Sequence, residues 1–204
     1  MCGRYDLFDS PAAIRAKFSV PVVPDFLGNP DLRPTDSAPI VRLTKSGERE
    51  CVLARWGLVP FWAKDLKFGT RCINARAETV ATTPAFRAAY RARRCLVPLN
   101  AFYEWTGAKG HKVKWRISVP DDPLFALAGL WEWWPGLPAG PAPKDSAGVE
   151  TYTIITTAAN AQLAPIHDRM PVIVPQARHA VWLDPESHAA DVLQPYVGEL
   201  QLQS

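Results

Sequence analysis

Seven runs rich in β-branched, aromatic and other apolar residues recur along the chain, at 38–43, 51–56, 95–99, 113–119, 124–131, 151–157 and 172–174. Bounded by glycine, proline and short polar residues, they predict strands. Three places join a capping residue to a proline at the first helical position: Ser10-Pro11, Thr83-Pro84 and Asp184-Pro185. They predict helices near 11–18, 84–93 and 185–194, with a further short helix after Pro175. Strands and helices do not alternate regularly, which disfavours a doubly wound parallel sheet. The pattern predicts an α+β fold, one domain over residues 1–204, built on a curved, mainly antiparallel, barrel-like sheet with peripheral helices. Residues 135–149 hold too much proline and glycine for an element interior and predict a flexible surface loop.

A chain of 204 residues, 48% hydrophobic and 21% charged, is long enough to bury a core and ordinary for a soluble protein. No stretch approaches the roughly 18 apolar residues of a membrane span, and the first residues lack the regions of a signal peptide. The expectation is a cytoplasmic protein without a membrane partner. Cys2, Cys51, Cys72 and Cys95 form no C-x-x-C pair, so neither a metal nor another cofactor is expected. Cys51, Cys72 and Cys95 read as small buried hydrophobes.

Net charge is only +3, but its distribution is uneven. Between Arg55 and Arg94 stand nine basic residues against two acidic ones, a local +7 that leaves the remainder at −4. Trp56, Phe61, Trp62, Phe68, Phe86 and Tyr90 are interleaved with them. That combination suits a polyanion whose bases stack on aromatic rings, and Arg87 is counted among its contacts. For Arg87 to Arg94 alone, a solvated helix face is an equal reading.

Candidate chemistry starts at the second residue. A chain trimmed of Met1 begins with Cys2 and carries an amine and a thiol on adjacent carbons. An α-amine has a pKa of about 7.7–8.0 against about 10.4 for lysine, so its nucleophilic fraction at neutral pH is larger by on the order of 10²-fold. The thiol, with a reference pKa of about 8.5, is expected to be partly ionised, and both groups can add to one aldehyde carbon. Asn74, Glu104 and His167 are polar residues inside apolar runs, which calls for hydrogen-bonded partners. Between Tyr103 and Trp105, Glu104 is expected to have a desolvation-raised pKa and to exchange protons near neutrality.

These segments together resemble one family. Met1-Cys2-Gly3-Arg4-Tyr5, Arg55-Trp56-Gly57-Leu58-Val59-Pro60-Phe61-Trp62, Asn74-Ala75-Arg76-Ala77-Glu78-Thr79, Arg94-Cys95-Leu96-Val97-Pro98, Phe102-Tyr103-Glu104-Trp105, Gly129-Leu130-Trp131-Glu132, Thr156-Thr157-Ala158-Ala159-Asn160 and His167-Asp168-Arg169-Met170-Pro171 are similar, in order, to the motifs of the SOS response-associated peptidase (SRAP) family. The resemblance implies a protein that binds single-stranded DNA and joins covalently to abasic sites through Cys2; a monomer associated with the nucleoid is the accompanying expectation. It implies Asn74, Glu104 and His167 as active-site residues. Arg4, Arg76 and Arg169 are implied as phosphate contacts, and Trp62, Phe68 and Trp105 as walls against the bases. Pro34-Thr35 with Pro39 is similar to a proline-containing loop near the family's site. Leu99-Asn100-Ala101 departs from the pattern, since the family more often has Asp-Gly there. Two other readings stay open: an N-terminal nucleophile amidohydrolase or peptidase using Cys2, and a noncovalent single-strand binder in which Cys2 is idle. The first predicts ammonia release from glutamine. The second predicts equal retention of abasic and intact DNA after denaturation.

Overall fold

The computed structural model describes residues 2–108, 110–136 and 148–204. In chain order the elements are β1 (Tyr5–Leu7), α1 (Pro11–Phe18), β2 (Asn29–Leu32), β3 (Ser37–Leu43), β4 (Arg49–Trp56), β5 (Asn74–Arg76), α2 (Arg87–Ala92), β6 (Arg94–Leu99), β7 (Ala101–Thr106), β8 (Val113–Ser118), β9 (Phe125–Trp134), β10 (Val149–Ala158), β11 (Arg169–Pro171), α3 (His179–Leu183) and β12 (Gln201–Gln203). Short 3₁₀ turns lie at Leu66–Arg71, Gln176–Arg178 and Ala189–Val192.

The strands form two sheets. One closes on itself, because β10 pairs with both β4 and β9, completing a ring β4-β3-β6-β9-β10. The other is an antiparallel sheet in the order β12-β8-β7-β1-β2. Only the pairings of β10 with β4 and β5 are parallel among the described strands. This is the predicted α+β fold with a barrel-like, mainly antiparallel sheet.

Composition explains the closure. β6 is buried at every position, β9 at its first six, and β10 consists from Thr151 to Thr157 only of Thr, Tyr and Ile, residues that pack well on a pleated surface. At Gly129, between Cys95 of β6 and Ile154 of β10, an added Cβ would lie 2.9 Å from Cys95 Sγ and 3.0 Å from the Thr153 carbonyl. Only glycine lets three backbones approach so closely. The two sheets share one apolar core, where the Tyr5 ring of β1 lies 5.2 Å from Trp56 of β4 and its hydroxyl is 2.6 Å from that of Tyr152 on β10.

Of the predicted helices, α1 has the expected bounds: the Ser10 hydroxyl accepts from the Ala13 amide at 3.2 Å, and Ser19 ends the helix in a left-handed conformation. α2 starts at Arg87, three residues later than predicted, after a turn closed by Thr83. The helix predicted over 185–194 is not formed. The Asp184 carbonyl accepts from the Ser187 amide and from Arg94 Nη1 at 3.0 Å, so a tight turn replaces the first helical turn and only the 3₁₀ segment Ala189–Val192 follows. The helix expected after Pro175 is present as a 3₁₀ turn leading into α3. The strand expected at 172–174 lies earlier, as β11, with Ile173 making an isolated bridge to Leu127. Most of the loop predicted at 135–149 lies outside the described residues, and its last residue opens β10. Cys51, Cys72 and Cys95 are buried as predicted.

His179, the first residue of α3, is 2% exposed, stacks on Phe18 at 5.5 Å and sits 3.1 Å from the Val174 carbonyl through Nε2. Burial depresses its pKa to about 4. A base whose folded pKa lies below its unfolded value of about 6.5 makes the unfolded chain the better proton binder between those limits. Stability from this group is therefore complete above pH 6.5 and declines as pH falls toward 4. Urea unfolding should show a loss of about 2 kcal/mol between pH 7 and 5 that His179→Phe largely abolishes.

Candidate active site

β10 runs on past the ends of its pairings with β4 and β9, and that overhang builds the site. After leaving β4 at Tyr152, β10 takes β5 as its parallel neighbour, pairing Ile154 with Asn74 and Thr156 with Arg76. On its other edge β9 gives way to β11, which pairs Ala158 with Arg169. Asn74 and the His167–Arg169 segment are thus delivered to opposite edges of one strand end. Close backbone contact fixes the approach to β5: Gly57, at φ +112°, packs so tightly on Gly69 that a Cβ would lie 2.7 Å from the Gly69 carbonyl.

The antiparallel sheet supplies the other two residues. Tyr5 pairs with Phe102, and the Tyr103 amide donates to the Arg4 carbonyl at 2.9 Å. Continued by one step, that register brings Gly3 level with Glu104. Cys2 is 1% exposed and Glu104 3% exposed. Asn74 closes the group, its Nδ2 donating to the Cys2 carbonyl at 2.8 Å. Asn74 Oδ1 is buried with no hydrogen-bond partner among the described residues, which leaves an acceptor beside Cys2.

Electrostatics couple the set. Burial raises the Cys2 thiol well above its ordinary value, and the Glu104 charge raises it further. The expectation of a partly ionised thiol is therefore corrected: an apolar enclosure opposes the thiolate. Burial also holds the Glu104 carboxyl above the usual carboxylate range, against an opposing electrostatic pull from His167. His167 Nδ1 accepts from the Arg169 amide at 2.9 Å, while Asp168 Oδ1 lies 2.8 Å from the same nitrogen. A backbone N–H cannot turn its proton away, and the Asp168 side chain is 86% exposed and free to rotate. We assign Nδ1 as the acceptor, which puts the proton of neutral His167 on Nε2.

The predicted DNA contacts are more dispersed. Arg76 is exposed at the end of β5, and Arg87 is exposed at the start of α2. Trp62 is half exposed and meets Phe68 edge to face at 5.3 Å, in a cleft of about 360 Å³ also lined by Lys64, Lys67 and Arg71. Arg4 ion-pairs with Asp31 at 2.6 Å and lies 5.4 Å from the Trp105 ring centroid. Arg169 donates to both Glu78 oxygens, at 2.6 and 3.0 Å, and to the Thr156 carbonyl at 2.7 Å. A phosphate would compete with Glu78 for those nitrogens. Arg94 is 7% exposed and Arg93 pairs with Glu132, so part of the +7 segment's charge is structural.

Sequence reading missed residues that hold this frame. Asn100 accepts from the Phe8 amide at 2.9 Å and donates to Asp9 at 2.5 Å and to the Pro123 carbonyl at 2.7 Å, tying the β6–β7 turn to the chain after β1. That is the structural use of the residue where the family pattern differs. Asp6, 2% exposed, accepts from Tyr103 at 2.6 Å and from Arg116 at 3.0 Å. Thr35, in the proline-containing loop, has φ +85° and donates to the Trp56 carbonyl at 2.9 Å. A β-branched residue rarely adopts that conformation.

The family model for SOS response associated peptidase (SRAP) matches residues 1–204. The chain belongs to this family. Abasic site processing protein YoqW of Bacillus subtilis is 37% identical over 203 residues, covering 96% of this chain and 88% of that one. Abasic site processing protein YoaM of the same organism is 38% identical over 197 residues, covering 95% and 84%. A crystal structure of a protein from Bacteroides thetaiotaomicron superposes with a TM-score of 0.83 at 27% identity, over 98% of this chain and 90% of that one. The SRAP segments run through both sheets, and within them Asn74 is hydrogen-bonded to Cys2, Glu104 is electrostatically coupled to Cys2, and His167 to Glu104.

Proposed function

We propose that this protein processes abasic sites in single-stranded DNA by forming a covalent thiazolidine with the ring-opened sugar. The observation that carries the reading is the convergence on Cys2: Asn74 on its carbonyl at 2.8 Å, with buried Glu104 close enough to raise its thiol. The names of the relatives, abasic site processing proteins, agree with it.

The sequence of steps follows from the chemistry. Met1 is removed, exposing the Cys2 amine. An abasic deoxyribose is mostly a closed hemiacetal; as it opens to the C1′ aldehyde the C1′ hydroxyl gives its proton to water, and His167, when protonated at both nitrogens, delivers Nε2–H to the ring oxygen and is left neutral. Asn74 Oδ1 accepts from the amine or from a sugar hydroxyl and orients the pair. The amine adds to C1′, the carbinolamine loses one water with Glu104 passing the proton, and an iminium results. The thiol then adds to the same carbon while its proton goes to the Glu104 carboxylate. A new C–S bond and the C–N bond are kept, and one water is lost in total. Ring closure protects the adduct against hydrolysis and the strand against elimination.

The test is intact mass after incubation with an abasic oligonucleotide and denaturation. The expected species is DNA plus the protein lacking methionine, less one water. An adduct that retains methionine, or capture by a chain with a blocked amine, would sink the reading. Binding should also weaken steeply between 50 and 200 mM salt, because phosphate contacts release counterions. Flat affinity over that range would remove the DNA groove from the proposal.

A further inference from the structure

A second basic cluster lies outside the segment picked out by charge counting. From Trp105 to Val119 the sequence holds Lys109, Lys112, Lys114 and Arg116 and no acidic residue. Lys112, Lys114 and Arg116 are spaced by two, which places them on one face of the β8 strand and its approach. β7 and β8 form a hairpin, pairing Trp105 with Lys114 and Glu104 with Trp115, so this charge is carried on the strand pair that presents Glu104.

Across β1 from the hairpin lie β2 and the residues that follow it. Asp31 binds two guanidinium groups at once, Arg4 Nε through Oδ1 at 2.6 Å and Arg33 Nη2 through Oδ2 at 2.5 Å. One carboxylate holding two arginines leaves a net positive charge and fixes where both cations sit. Their charge holds the Asp31 carboxyl below its usual range, so the arrangement persists at neutral pH. Gly3, Arg4, Arg33, Pro34, Trp105 and Lys112 together line a cleft of about 370 Å³. That volume falls near the lower end of the range for small-ligand sites, about 300–1,000 Å³.

We infer that this cleft binds a phosphodiester of the polynucleotide next to the sugar held at Cys2, with Arg33 and Lys112 as its cations and Asp31 as the residue that positions Arg33. Three features favour a nucleic acid over another polyanion. The cleft is lined by Gly3 and Arg4, the residues that follow Cys2. Its wall is an indole and a proline ring, apolar surface suited to a sugar or base. Its cations are arginine, which binds phosphate oxygens in pairs, and lysine, which supplies a point charge. The inference deepens the proposed function and rests on it for the sugar, but its own readout is noncovalent.

The experiment measures binding of an intact oligonucleotide, one without an abasic site, to the full chain across 50–200 mM salt. Arg33→Ala with Lys112→Ala should flatten the slope of log K against log salt by about 0.7, the contribution of the one single-strand phosphate contact that the two cations share. An unchanged slope overturns the inference. Both side chains are largely solvent-exposed, and an unchanged melting temperature checks folding. A flattened slope in a protein that never crosslinks would keep this site and discard the covalent chemistry. Crosslinking by wild type with an unchanged slope in the variant would do the reverse.

Discussion

Replacing Cys2 by serine should leave DNA binding in place and reduce the crosslink that survives denaturation to background. The amine is retained, so an imine still forms at C1′, but a hydroxyl closes no thiazolidine and the imine returns to aldehyde or proceeds to strand cleavage. Borohydride should therefore trap the variant on abasic DNA, whereas denaturation without reductant should release it. Serine at a site 1% exposed also buries a hydroxyl, at a cost of about 1–3 kcal/mol if it finds no partner. Affinity for intact DNA separates that effect from the chemistry, because a merely unfolded variant loses binding as well. A crosslink as durable in Cys2→Ser as in the parent would remove the sulfur from the mechanism and leave the proposed ring without support.

The parts of the fold that were legible in the sequence are those decided locally. Ser10-Pro11 caps and starts α1 with groups no more than three residues apart, and the long strands β4, β6, β9 and β10 carry enough β-branched and aromatic residues to declare themselves. Asp184-Pro185 carries the same local signal and fails, since Arg94, ninety residues away, takes the carbonyl that a helix would use. The three-residue strands β1, β5 and β11 have no pattern of their own. They exist because β7 and the far end of β10 offer backbone partners, and they position Cys2, Asn74 and Arg169.

The same divide runs through the site. Asn74, Glu104 and His167 stood out as polar residues in apolar surroundings, a signal visible in one dimension. The state of the Cys2 thiol did not, because an isolated cysteine gives no sign of the enclosure that raises it. Nor could charge counting separate Arg94 and Arg169, which donate to protein oxygens, from Arg76 and Arg87 on the surface. Asp31 and Arg33 were invisible for the opposite reason: their charges cancel in a count, while their geometry does not.

Glu104→Gln should slow crosslink formation at neutral pH by about 10²–10⁴-fold, the usual contribution of a positioned general acid or base. Glutamine preserves shape and burial while removing both the charge and the ability to exchange a proton. The direction of the effect separates two accounts of how sulfur attacks. The Glu104 charge raises the Cys2 thiol, so its removal lowers that pKa and increases the thiolate fraction. If a preformed thiolate were the attacking species, the variant would be faster. If the thiol delivers its proton to the carboxylate as the C–S bond forms, the variant is slower. The pH profile adds a second sign. Burial raises the Glu104 carboxyl above the ordinary carboxylate range, so the form able to accept a proton is lost as pH falls through that raised midpoint. Wild-type rates should decline on acidification along that limb, in addition to the loss of free amine below about pH 8. Glu104→Gln should keep the amine limb and lose the lower one. A variant with wild-type rate and both limbs intact would take Glu104 out of the proton path, leaving it only the role of a buried charge beside the nucleophile.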